Sequence, residues 1–130
     1  MIVLSNRSLE ELQQRLQYRF KNPALLRIAM THTSYANEAK VPTRHNERLE
    51  FLGDSVLSVV VADYLFHHST RPEGELTRMR ASLVSEEALF AFARTIGLGS
   101  YLRLGRGEEL SGGRTQSAAG FGGDADQPEF

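Results

Sequence analysis

An all-α fold is predicted by three features of the sequence. Apolar residues recur three and four positions apart in successive segments, capping residues stand ahead of those segments, and no segment sustains an alternation of period two. The first helix is expected to start at Ser8-Leu9-Glu10-Glu11, which has the capping-box form, and to carry Leu12, Leu16 and Phe20 at near-helical spacing. Asn22-Pro23 repeats the start signal, with proline at the first helical position, ahead of Leu25, Leu26, Ala29 and Met30. Residues 31 to 45 are polar, contain Pro42 and read as a loop. A long third helix is predicted from about Asn46 to Phe66, ended by His67-His68-Ser69-Thr70-Arg71-Pro72. Gly74 punctuates, and a fourth helix follows from about Glu75 to Val84. Ser85 caps a fifth, with Leu89, Phe90, Ala93 and Ile96 turned inward and Gly97 as its stop. There is no internal repeat.

From Gly105 onward the composition shifts, because 7 of the 11 glycines fall there and interrupt any helical period. Residues 114–130, ending in Asp124-Ala125-Asp126-Gln127-Pro128-Glu129-Phe130, read as a disordered tail. The 130 residues suit one domain with a core of its own. No stretch approaches the roughly 20 apolar residues of a membrane span, and no secretory signal is visible at the amino end, so a cytoplasmic protein without a membrane partner is expected. Zero cysteines rule out disulfides and thiolate metal sites, leaving oxygen and imidazole as metal donors. The net charge of −1 argues against indiscriminate polyanion binding, yet 13 of the 15 basic residues are arginine, the better phosphate fork. Composition leaves RNA open.

The most informative segment lies in the third helix. Glu47, Glu50 and Asp54 stand at i, i+3 and i+7, so they line one face, while Leu49, Leu52, Val56 and Val59 follow the same period on another. Like charges so placed repel, and a cation is the natural compensation. Each residue also has a plainer explanation. Glu47 suits the first turn, where the helix dipole favours a negative charge. Asp54 directly after Gly53 costs a mid-helix position roughly 0.6 to 1 kcal/mol per residue against alanine, which asks for a reason. Gly53 marks either the close approach of another backbone or a helix-packing contact. Phe51 and Leu52 belong to a core by default. The adjacent His67 and His68 point about 100° apart on a helix and make a solvated helix end rather than a metal site. For Arg78 and Arg80 a solvated face stands beside phosphate contact.

The eleven residues Glu47 to Leu57, ERLEFLGDSVL, resemble the signature helix of the ribonuclease III family. The resemblance extends to Ala29-Met30-Thr31-His32-Thr33-Ser34-Tyr35, to residues 73–84 and to residues 97–109, and covers roughly residues 9 to 116. It implies an all-helical endonuclease domain over residues 1–113 that forms a homodimer. Such a domain cuts double-stranded RNA, in RNA processing that includes rRNA maturation, with Mg²⁺ or Mn²⁺ as cofactor. By the same resemblance Glu50 is a metal ligand, and Asp54 is a second ligand and the catalytic residue that positions the attacking water. Glu47 and Glu73 are further acids of the cleavage valley, touching RNA or outer-shell water, and Phe51 is a dimer contact.

One departure bears on mechanism. Where the family continues into a helix bearing Asp-Ala-x-x-Glu-Ala, this chain has Ala118-Ala119-Gly120-Phe121-Gly122-Gly123. The following acids Asp124, Asp126 and Glu129 have the wrong spacing on breaker-rich backbone, so the family's second acidic pair is not carried onto them. A frameshifted or truncated product is the expectation, without the family's double-stranded-RNA-binding domain, with weakened Mg²⁺ binding and with apolar surface left uncovered. Two alternatives follow: a non-catalytic dimerisation module of the same fold, and a helical interaction domain whose acidic edge is coincidental.

Overall fold

The computed structural model describes residues 8–110, and each segment read as helical from the sequence holds a helix in it, although Phe20, expected on the first, lies beyond that helix's end because the backbone turns left-handed at Gln17. Helix α1 spans Leu9–Leu16; the Ser8 hydroxyl accepts from the Glu10 N–H at 3.0 Å. Its end is turned by Gln17 in the left-handed region (φ 55°), where the backbone N–H reaches back to the Gln13 carbonyl. Helix α2, Pro23–Ala29, has proline at its first position and Asn22 as a side-chain cap on the Ala24 N–H at 3.1 Å.

The segment read as a loop contains a further helix, α3, Thr33–Glu38. Six residues are too few to display a period, and the cap is an unusual one, the His32 imidazole accepting from the Ser34 N–H at 3.1 Å. Helix α4 spans Glu47–His68. Helix α5, Glu73–Leu83, starts two residues earlier than expected, because the Pro72 carbonyl accepts from both the Glu75 and Leu76 N–H groups and draws Glu73 and Gly74 into the first turn. Helix α6, Glu86–Ile96, is capped by Ser85 on the Ala88 N–H at 3.1 Å and closed by Gly97 at φ 67°. A 3₁₀ turn over Leu98–Tyr101 follows, then α7, Arg106–Leu110, also unforeseen. The Glu38 carboxylate accepts from the Arg106 N–H at 3.0 Å, so a residue of α3 caps α7. The described residues form no strand, only an isolated parallel bridge between Thr31 and Arg103. The fold is all-α; the expected tail, residues 114–130, lies outside the described residues.

The core gathers Leu12, Leu26, Met30, Ala93, Leu98, Tyr101, Leu102 and Leu104, flanked by Leu9, Leu16, Phe20 and Ile96. Thus α1, α2, α6 and the 3₁₀ turn with the stretch after it supply the buried surface. Helix α4 stands outside that cluster: Leu65 is its one buried residue, and it packs on α5, which meets α6. The contact of α3 with α7 is tight. The Gly105 N–H donates to the Ser34 hydroxyl at 2.9 Å, and a Cβ on Gly105 would stand 2.6 Å from the Ser34 carbonyl oxygen and against the Glu38 carboxylate. Backbone cannot give way as a flexible side chain does, so Gly105→Ala is expected to lower stability by about 1 to 3 kcal/mol. Thermal unfolding beside Gly107→Ala, where an added Cβ meets nothing within 4 Å, checks this; equal melting of the two variants would refute it.

Candidate active site

At about 100° per residue, Glu47, Glu50 and Asp54 fall within a narrow arc of α4. The same line continues as Ser58, Val61 and Leu65, which turn toward the packed side of the helix. The acids therefore occupy the part of the inward line where helical neighbours thin out. Glu47 and Asp54 are exposed and Glu50 is half-buried. Leu52, Val56 and Val59 lie on the opposite side and are 59%, 52% and 67% exposed; Phe51 is 80% exposed, and Val60 and Phe66 are also open to solvent. The default expectation of a core position for Phe51 and Leu52 is corrected here. A period of 3.6 marks an apolar face, but it does not say whether that face meets this chain's own core. Nothing lies within 4 Å of a Cβ built on Gly53, so neither of its expected close contacts is made among the described residues.

The structure brings Glu50 and Asp54 together as i, i+4 neighbours and does not gather the four expected acids into one cluster. Among the described residues no group of three or more His, Cys, Asp or Glu is placed to hold a metal ion. Glu73 sits in the first turn of α5, its carboxylate accepting from the Thr77 hydroxyl at 2.8 Å. The donor set nonetheless fits Mg²⁺ in kind. That ion takes hard oxygen ligands and is commonly held by one or two carboxylates, with water and substrate phosphate completing its shell.

The two histidines form the solvated helix end that their plainer explanation describes. His67 and His68 are exposed, their Nδ1 atoms 2.8 Å from the carbonyls of Asp63 and Tyr64 one turn back. Arg78 is exposed, whereas Arg80 lines an open groove with Ser58, Val59, Ala62, Asp63 and Phe66. No helix among the described residues is long and apolar enough to cross a membrane. The residue that sequence reasoning missed is Asn46. In the sequence it marks only the approximate start of the helix; in the structure it stands just ahead of α4, its side chain makes no capping bond to that helix, and its amide donates to the Ala29 carbonyl at 3.0 Å.

Comparison with known proteins agrees with this architecture. Residues 22–119 match the family described as Ribonuclease-III-like. Ribonuclease 3 of Clostridium tetani is 50% identical over 107 residues, which is 82% of this chain and 45% of that protein. Ribonuclease 3 of Oleidesulfovibrio alaskensis is 53% identical over 110 residues, 84% of this chain and 48% of its relative. The chain spans about half the length of these curated relatives. Among solved structures, the nuclease domain of ribonuclease III from Campylobacter jejuni, described for structural flexibility in the region involved in dimer formation, superposes with a TM-score of 0.75. It is 41% identical, with 86% of this chain and 78% of that one covered. With the helical scaffold, the acidic line on α4 and these matches in hand, the chain belongs to the ribonuclease-III-like family.

Proposed function

We propose that residues 1–113 are an endonuclease domain that hydrolyses phosphodiester bonds of double-stranded RNA with Mg²⁺, or Mn²⁺, on Glu50 and Asp54, acting in the cytoplasm as a homodimer. The observation that carries this reading is the pair of opposed faces on α4, acids on one side and exposed apolar residues on the other.

A divalent ion bound there would polarise a phosphoryl oxygen and make a water acidic enough to attack near neutral pH. The chain's own groups do the rest. Glu50 is half-buried, and its N–H is bonded to the Asn46 carbonyl at 2.8 Å, so its carboxylate starts from a fixed backbone position. Asp54, one turn on and exposed, holds the attacking water by accepting its hydrogen and orients it toward phosphorus. Glu47 and Glu73 offer acceptors for 2′-hydroxyls, which an A-form minor groove displays, or for water between protein and RNA. Arg78 and Arg80 supply forks for phosphates.

The test is incubation of the purified full chain with long duplex RNA, with and without Mg²⁺. Cleavage that needs the ion is expected. The second reading, a non-catalytic dimerisation module, is favoured by the absence of a three-acid cluster among the described residues. It predicts dimers and no cleavage.

Phe51 provides a separate check on assembly. An apolar ring 80% exposed on α4 contributes little within one chain, so Phe51→Ala is expected to change monomer stability by no more than about 0.5 kcal/mol while shifting the dimer toward monomer. Sedimentation measures the shift; unaltered self-association would remove Phe51 from the interface.

A further inference from the structure

The amino-terminal half of α4 carries the acids but has little packing to hold it. From Glu47 to Val56 no residue is buried, and only Leu49 and Glu50 are even half-buried. Packing on the body of the protein comes later along the helix, toward Leu65 and α5. Something other than burial must set where the acidic line begins.

Asn46 is placed to do so. An asparagine ahead of a helix ordinarily turns its side-chain oxygen onto the second or third N–H of that helix. Here φ is −90° and ψ is 0°, no such bond forms, and the side chain points back across the fold. Its amide donates to the Ala29 carbonyl at 3.0 Å and its backbone N–H to the Thr31 carbonyl at 2.9 Å, while its own carbonyl accepts from the Glu50 N–H at 2.8 Å. One residue thus links the backbone of Glu50 to the last carbonyl of α2 and to one in the α2–α3 connection.

That connection is well restrained. The Met30 carbonyl between those two accepts from the Arg103 N–H at 2.8 Å, and the His32 N–H donates to the Arg103 carbonyl at 3.0 Å. Thr31 is 1% exposed; its hydroxyl donates to the Arg27 carbonyl at 2.6 Å and accepts from the Arg103 guanidinium at 3.4 Å. That guanidinium lies 4.3 Å from the centre of the Tyr35 ring. Asn46 rests on a platform braced from both sides.

We infer that Asn46 is a positioning residue for the acidic line, fixing Glu50 and Asp54 for a divalent cation through its grip on the carbonyls of Ala29 and Thr31. The inference rests on the proposed metal-holding role of those acids. Groups outside the ligand shell that orient ligands typically control metal affinity by about 10- to 100-fold, and the low end applies to a contact made through backbone.

The experiment is Mn²⁺ titration by calorimetry of the full chain, well below its melting temperature, for the unaltered protein, Asn46→Asp and Asn46→Ala. Asn46→Asp keeps size and capping preference but cannot donate to Ala29, and its added negative charge would by itself draw a cation in. About tenfold weaker binding in both variants is expected, opposite in sign to that charge effect. Should Asn46→Asp fail to fold, Asn46→Ala, which removes the donor without adding charge, decides. Unchanged affinity with a lowered melting temperature makes Asn46 merely structural and overturns the inference. Tighter binding by Asn46→Asp, with Asn46→Ala unaltered, also overturns it. No Mn²⁺ uptake by the unaltered protein overturns the metal-holding reading of Glu50 and Asp54 itself, and the role of Asn46 falls with it.

Discussion

Asp54→Asn is expected to lower Mg²⁺-dependent cleavage of duplex RNA by at least about 100-fold, because loss of a ligand should exceed the usual 10- to 100-fold cost of losing an outer-shell partner. The substitution is nearly isosteric. Asp54 is exposed on α4 and has no hydrogen bond or ion pair among those described, so removing its charge leaves packing untouched. A fall in cleavage with an unchanged melting temperature therefore reports on chemistry rather than folding. The control is Asp63→Asn, further along the same helix beside His67 and outside the acidic line, which should cleave at the normal rate. Full cleavage by Asp54→Asn would exclude this carboxylate from the reaction.

Tyr101→Ala should cost stability on a scale no surface change approaches. Tyr101 is 2% exposed in the 3₁₀ turn, packed within the cluster of Leu12, Leu26, Met30 and Leu102. Its hydroxyl donates to the Glu11 carboxylate at 2.8 Å, tying the turn to α1, and the Arg15 guanidinium carbon lies 5.9 Å from the ring centre. Emptying so large a buried site typically costs about 3 to 5 kcal/mol, which for a domain of this size lowers the melting temperature by on the order of 10 °C. Tyr101→Phe keeps the ring and loses the bond, a cost of about 1.5 kcal/mol. Melting curves separate the two, and equal losses would show that the hydrogen bond, not the packing, holds the turn.

Where sequence and structure agree, the signal is local. Ser8, Asn22 and Ser85 each place a side-chain oxygen on the helix that follows, and Gly97 closes α6 in the left-handed region. The acidic line was legible for the same reason, since spacing along one helix determines which side chains share a face. The chemical roles of Glu47, Glu50, Asp54 and Glu73 came instead from family resemblance. What escaped the sequence depends on distant partners. Helix α3 is six residues with an imidazole cap, and α7 is five residues capped by Glu38 from across the fold. Neither is long enough to show periodicity. The row Leu52, Val56 and Val59 carried a true helical period, yet its exposure depends on what the rest of the chain covers.

The bridge between Thr31 and Arg103 also bears on the order in which the molecule assembles. Its partners are 72 positions apart, so the intervening loop must close, at an entropic cost that local helix formation does not meet, before the support beneath Asn46 exists. Helices α4, α5 and α6 lie wholly inside that loop and can coil early, as the chain emerges. On this route the first turn of the acidic helix finds its seat only once residue 103 lies alongside residue 31, so the geometry of the acidic line is expected to be set late in folding.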